Sequence, residues 1–520
     1  MLTAELGNTR RLAMSEHAYR WIFRLFLTWG AIIFWLAPHP PMIDLPQHAG
    51  QVILFRDMLT GQSSWSELFR INWMTPYIIG YGLAVPLSFL MPVAAALKLL
   101  LSIAYVAFVL MCVKLRQHFG ADSRLDWLFL LSFFGFAYKW GFFTFLLAAP
   151  IGLWFILLAD KYAINRTVSR AVGLIVVGLV LLASHGLTFL FSIGVGGALL
   201  LAHFHHWSLR HLKTFIKAAA PYAVLLVACA AYFMVSRQVN TGMETELSEI
   251  TTWHGGLERI PKALIYSLAT NHEDPALGLF APAVLILLAT PWLLGLRIDW
   301  KKRSTWVPFA LLMLLFIFVP SFAFGTAFLY QRFALFLLPA YAWMFTKHAS
   351  APARLSFRPG LVMAVLVLAC LSILSLNTVR VWRFGQETAG IDSIVDNLEP
   401  RQRVLSLVFA PNSEADKNRI YTHYAAWYQA EKQGLVDFNF AWFPPQIVRY
   451  RPERLPGARP GFEWHPERFD WVDNRGGDYT YFFVRHDGAV PANLFRGASC
   501  QPRPLFRKGS WTVFERGNCS

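Results

Sequence analysis

WMTPYIIGYGLAVPLSFLM, residues 73–91, is the stretch on which the topology of this chain turns. A helix needs about 20 mostly apolar residues to cross a bilayer, and this run is long and apolar enough to be counted as one. Counting it has a consequence for every later loop. Cytoplasmic loops carry an excess of Lys and Arg, and basic clusters alternate with apolar runs along the chain. They are Arg10, Arg11, Arg20 and Arg24; Lys114, Arg116 and Arg124; Lys161, Arg166 and Arg170; Arg210, Lys213 and Lys217; Arg297, Lys301, Lys302 and Arg303; and Lys347, Arg354 and Arg358. If 73–91 crosses, the first cluster is separated from all the others; if it does not, all of them share one side. The intervening loops are longer in total and hold only Arg56, Arg70, Lys139, Arg237, Arg259, Lys262 and Arg332. Pro76, Gly80, Gly82 and Pro86 also disfavour a straight helix. The segment therefore reads as a helix lying in or dipping into the outer interface, and 38–92 as one long outer loop with interfacial helices.

Outward from that loop, the apolar runs 21–37, 93–113, 125–137, 141–159, 171–184, 186–203, 216–235, 276–296, 305–323, 329–346 and 359–378 read as membrane spans, about eleven in all. Two pairs meet at very tight turns, Tyr138-Lys139-Trp140-Gly141 and Ser184-His185-Gly186, and are read as helical hairpins whose tips dip below the outer surface. The polar, basic N-terminal segment is followed by the apolar run Trp21–Leu36 with no small-residue cleavage site, the pattern of a retained signal anchor. The N-terminus is then cytoplasmic. The last helix runs outward, so residues 379–520 form an exported domain of different composition, with Pro-Pro, Arg-Pro and Gly-Gly turns and short apolar stretches at Val404–Phe409, Tyr479–Arg485 and Ser510–Glu515. The expected architecture is an all-α polytopic membrane domain (1–378) with a small exported α/β C-terminal domain (379–520), in a bacterial inner membrane.

Composition agrees. Of the 520 residues, 56% are hydrophobic and 15% charged, against about 45–50% and about 25% in soluble domains. The mean hydropathy is +0.42. The net charge of +16 is loop charge beside anionic lipid rather than a nucleic-acid surface, since no basic stripe is interleaved with exposed aromatics. Cys112, Cys229 and Cys370 lie in apolar runs as packing residues. Cys500 and Cys519 lie in the polar tail, where export permits a disulfide.

The candidates for chemistry gather at outer ends. Asp44, in Met42-Ile43-Asp44-Leu45-Pro46-Gln47-His48, follows the first helix at the membrane surface. A carboxylate there serves as general base or divalent-metal ligand, or else caps the helix starting near Pro46. His48 is four residues on and shares a helical face with Asp44, either to orient it or to pack. Arg332, in Tyr330-Gln331-Arg332-Phe333, is the lone cation of its loop. It suits a lipid phosphate through bidentate hydrogen bonds, or else snorkels or pairs with another loop. Lys139 and His185 occupy the hairpin tips, where polar side chains line a cavity, snorkel, or bond between helices. The outer loop 236–275 holds Glu244, Glu246, Glu249, Glu258, Glu273 and Asp274 with His254 and His272, either as a solvated face or as a source of a second carboxylate. No Walker A, GxGxxG, GxSxG or HExxH pattern occurs.

This arrangement resembles the GT-C superfamily of membrane glycosyltransferases. The resemblance rests on an Asp soon after the first helix (Asp44 in MIDLPQHAG), a long first outer loop, tight hairpins closed by short basic turns, and a late outer-end Arg before a Leu/Pro helix (Tyr330-Gln331-Arg332-Phe333 to Leu338-Pro339). It covers roughly residues 20–378 in architecture and a few positions in motif. It implies a polyprenyl-phosphate sugar as donor, a lipid or glycan acceptor, Asp44 as the base and Arg332 as the donor-phosphate ligand. One departure is the tip Tyr138-Lys139-Trp140, where many members carry an acid; this sets a divalent metal in doubt. Two other functions fit the composition: a lipid-linked sugar transporter, which needs polar residues through the bilayer centre that are nearly absent here, and a non-catalytic assembly protein with a partner-binding tail.

Overall fold

The computed structural model describes residues 16–204, 209–239, 251–253, 255–269, 277–323, 325–346, 359–455 and 461–517. Outside them lie Arg10, Arg11, Lys347, Arg354, Arg358, the loop residues Glu244, Glu246, Glu249, His254, His272, Glu273 and Asp274, and Cys519. Cys500 is disulfide-bonded, while Cys112, Cys229 and Cys370 are free and buried.

Among the described residues, four helices are long and apolar enough to cross a membrane: Val93–Phe119, Phe143–Ile164, His211–Val239 and Pro359–Asn397. Shorter apolar helices include Val168–Ser184, Gly186–Ala202 and Arg303–Phe318. Phe143–Ile164 is the most buried of the four and packs on Val93–Phe119, Val168–Ser184 and Gly186–Ala202. Leu25, Ile32, Val172, Val176, Leu226, Val227, Leu285 and Leu368 are exposed on the outside of the bundle, a belt suited to hydrocarbon and not to water.

Two apolar runs read as single spans are broken. Residues 125–137 form a helical turn, the short helix Trp127–Ser132 and a second turn, Phe136–Trp140. Trp127 packs against Tyr19, Phe23 and Phe26 of the first helix, and Tyr138 against Phe34. The broken segment therefore climbs the same height as the helix beside it. Residues 329–346 are broken in the same way into Gln331–Phe336, Leu337–Ala342 and a strand at Phe345–Thr346. Gly135 lies at the first of these breaks and Pro339 in the first turn of Leu337–Ala342, and both are protein-covered rather than lipid-facing, the only setting in which irregular backbone is tolerated at depth.

The segment 73–91 becomes a 13-residue helix, Ile78–Leu90, about 20 Å long against a hydrocarbon core of about 30 Å. Before it comes Leu45–Leu59, a helix of 15 residues that is buried nearly all round. What covers it is the C-terminal part of the chain. Gln47 Nε2 donates to the Phe438 carbonyl and its Oε1 accepts from the Phe440 amide; Gln51 Oε1 accepts from the Val448 amide. Strand Phe69–Ile71 pairs antiparallel with Val448–Tyr450.

The 39-residue helix Pro359–Asn397, about 58 Å long, carries the chain out of the bundle into a five-stranded mixed sheet. Its strand order is 503–508, 511–515, 481–485, 403–408, 435–436. The two-residue period of a strand divides the sheet's faces. Val404, Val408, Tyr481 and Phe483 join the apolar core that continues into the membrane bundle. Leu405, Leu407, Phe482 and Val484 form a separate core with Trp471 and Phe495.

Candidate functional site

Asp44 is positioned by the first hairpin tip. Lys139 and Trp140 offer their carbonyls to the Ile43 and Asp44 amides at 3.2 and 2.9 Å. Gly141 closes the tip in the left-handed region, φ +79, and a Cβ there would meet the Asp44 and Leu45 nitrogens at 2.9 Å. Only glycine allows that approach. Asp44 is the N-cap residue of Leu45–Leu59, yet its side chain makes no capping hydrogen bond. The carboxylate is instead turned toward the site, with 15% of its side chain exposed. Burial pushes it up to about 7, against the pull of Arg332.

Arg332 is buried. Its Nε and Nη2 donate to the Phe328 and Ala327 carbonyls at 3.0 and 2.6 Å, and its guanidinium lies 4.1 Å from the Phe142 ring centre. No carboxylate lies within 4.0 Å of it among the described residues, so its charge acts on the site through space, on Asp44 and Tyr77. The backbone that holds it is strained: Phe328 has φ 57, unusual for a bulky residue, and packs its ring 4.2 Å from that of Trp140.

His185 and His48 lie on the same side. His185 Nδ1 accepts from the Thr188 amide, and its ring packs between Tyr77 and Phe145, each at 5.3 Å. His48 does not turn to Asp44. Its Nδ1 lies 2.7 Å from the Tyr81 hydroxyl, which donates to Gln446 Oε1 at 2.7 Å. Because that hydroxyl proton is committed, His48 Nδ1 is the donor, and burial pushes this imidazole down to about 3. Lys139 lies outside the group. It is 1% exposed and ion-paired with Asp416 of the C-terminal part, which Arg380 approaches to 3.8 Å. The tip lysine thus neither faces a cavity nor snorkels; it anchors the tip on which Asp44 rests.

The C-terminal part adds further groups, among them His423, which sequence reading did not single out, and Trp464, one of the tail tryptophans that sequence reading offered for partner or sugar binding. His423 Nε2 lies 3.6 Å from Asp44 Oδ1. Trp464 is nearly parallel to Trp140, at 11° and 6.5 Å, with Arg419 4.7 Å from its ring centre. Trp140, Phe328 and Trp464 are each partly exposed. The only sequence signal for His423 is a titratable residue inside one of the tail's aromatic runs, Ile420–Tyr428. Among the described residues, no three His, Cys, Asp or Glu side chains come together as a metal site.

No protein-family model matches the chain, and no curated protein matches it in sequence. Solved structures do match. A single-residue variant of the arabinofuranosyltransferase AftD from mycobacteria aligns at TM-score 0.50 and 14% identity, over 96% of this chain and 42% of that one. AftD itself aligns at TM-score 0.47 and 13% identity, over 96% of this chain and 40% of that one. ArnT from Cupriavidus metallidurans, solved with undecaprenyl phosphate, aligns at 0.45 and 13%, over 96% and 98%. At such identities the likeness concerns the fold, and the AftD variant carries it. The chain is a membrane-embedded protein that shares its overall fold with this AftD variant at low identity. It spans about two fifths of the length of the AftD structures.

Proposed function

We propose that this chain is a glycosyltransferase that moves a sugar from a polyprenyl-phosphate donor to a hydroxyl of a lipid or glycan acceptor at the outer face of a bacterial inner membrane. In this reading the apolar runs make about eleven crossings, two of them broken, and residues 379–520 lie in the periplasm. The observation that carries the proposal is the pairing of Asp44 and Arg332: an uncapped, mostly buried carboxylate and a buried guanidinium with no carboxylate within 4.0 Å among the described residues, coupled through space.

Each group fits one end of a direct displacement. Asp44 takes the acceptor's hydroxyl proton, and the freed oxygen pair attacks the anomeric carbon. The bond from that carbon to the phosphate oxygen breaks, and its electrons leave with the lipid phosphate. A carboxylate raised to about 7 is a stronger base than a solvated one and still keeps a substantial ionised fraction at neutral pH. Arg332 offsets the charge growing on the leaving phosphate in a site shielded by Phe142 and Phe145. Trp140, Phe328 and Trp464 form a partly exposed aromatic cluster next to the Asp44 tip, and aromatic rings suit the C–H face of a sugar.

The test is mass spectrometry of lipid-linked and surface glycans from a strain lacking this chain, complemented with wild type or Asp44→Asn. The proposal expects a missing sugar that only wild type restores. Restoration by Asp44→Asn, or unchanged glycans in the deletion strain, would overturn it.

A further inference from the structure

His423 comes from a point in the chain far beyond Asp44, yet its Nε2 is 3.6 Å from Asp44 Oδ1. It ends a short turn, Ile420–His423, and is 5% exposed. Its ring stacks on Phe438 at 5.2 Å and 27°, with Phe440 and Trp464 against it edge-on. These contacts fix the direction in which its ring nitrogens point. Nδ1 is buried without a hydrogen-bond partner. A buried N–H is rarely left unpaired, whereas an unshared acceptor lone pair costs less. The proton of the neutral ring therefore belongs on Nε2, facing Asp44.

At 3.6 Å no hydrogen bond is yet made, and such bonds tighten when substrate closes a site. We infer that His423 is a positioning residue: its Nε2–H holds one oxygen of Asp44 and leaves the other to face the acceptor hydroxyl, so that the C-terminal part completes the site of the membrane part. This inference rests on the reading of Asp44 as the base. The other polar or titratable groups around the pair are Arg332, Gln47, His48, Tyr77, Tyr81, His185, Arg419 and Glu463, and the variants below leave all of them in place.

The experiment uses membranes containing the full chain, with total lipid extract of the deletion strain as the source of donor and acceptor. Sugar transfer is followed against pH. His423→Phe keeps the ring stack and removes the N–H; His423→Gln returns an N–H close to the same point. His423→Phe is expected to lower transfer roughly 10- to 100-fold at unchanged abundance in the membrane, the range of one charge-assisted hydrogen bond. Its acid limb is expected to move to higher pH, because a bond to the carboxylate favours the ionised form and its loss raises the pKa. His423→Gln is expected to recover most of the rate and to return the limb. Wild-type behaviour of His423→Phe overturns the inference, as does equal impairment of both variants with an unmoved limb, which would mark packing alone. Asp44→Asn is run alongside: if it still transfers, the base assignment itself has failed and the inference falls with it. If Asp44→Asn is dead and His423→Phe is normal, only the inference falls.

Discussion

The buried pair Lys139–Asp416 joins the tip beneath Asp44 to the C-terminal part, and its removal is open to a quantitative test. Lys139→Met deletes the ammonium and leaves Asp416, which is 0% exposed, inside the protein. Removing one partner of a buried ion pair costs about 3–5 kcal/mol, because the remaining charge is uncompensated. Here Asp416 keeps the Asn418 amide at 2.7 Å and Arg380 at 3.8 Å, so the cost belongs at the low end, about 3 kcal/mol. Replacing both partners, Lys139→Met with Asp416→Leu, removes the close pair together and should fall within about 1–2 kcal/mol of wild type, the remainder being the acceptor lost to Asn418 and the carboxylate lost to Arg380. The assay is thermal unfolding of the purified full chain in detergent, followed by reaction of Cys112 and Cys370, both 0% exposed when folded, with a thiol-reactive dye. The single variant should melt roughly 3–6 °C lower, since a long chain shifts less per kcal/mol than a short one, and the double variant should recover most of that loss. A single variant that melts with wild type would refute the argument. So would a double variant less stable than the single one, since the cost would then lie in packing rather than in stranded charge.

Two further outcomes follow from the site's surroundings. Gly141→Ala places a Cβ 2.9 Å from two backbone nitrogens at φ +79; it should lower the melting temperature and cut transfer at least tenfold by displacing Asp44, while Gly82→Ala, with open space around it, should do neither. His39 bridges Asp392 and Glu431 at 3.2 and 2.7 Å; burial alone would lower its pKa, but the two carboxylates outweigh burial and raise it to about 9. A raised histidine stabilises the fold fully below its unfolded value of about 6.5 and loses that contribution as pH rises through about 9. The melting-temperature gap between wild type and His39→Gln should therefore be widest at pH 6 and close above pH 9, and a gap independent of pH would contradict this.

How far the sequence reaches depends on the range of the forces involved. Hydrocarbon solvation is local and additive, so apolar runs and the basic clusters between them mark out a membrane bundle without knowledge of any contact. The same local reading isolates Asp44 and Arg332, because a lone charge next to an apolar run is visible in one dimension. It fails where tertiary contacts replace lipid. The runs 125–137 and 329–346 are mostly apolar, yet they break into short turns because protein on all sides satisfies the backbone that lipid would leave exposed. Leu45–Leu59 carries Gln47, His48, Gln51, Arg56 and Asp57, yet it is buried because Gln47 and Gln51 meet backbone groups of residues 438–448.

What the sequence by itself determined is therefore the class: a polytopic membrane protein with a polar tail and charged candidates at its outer ends. What only the tertiary structure decided is the composition of the site. Lys139 leaves it for Asp416, His48 turns to Tyr81, and His423 and Trp464 enter it from the tail. These assignments depend on side chains tens to hundreds of residues apart finding each other, and the energy of such pairs comes from distance and burial, neither of which is written in the order of the residues.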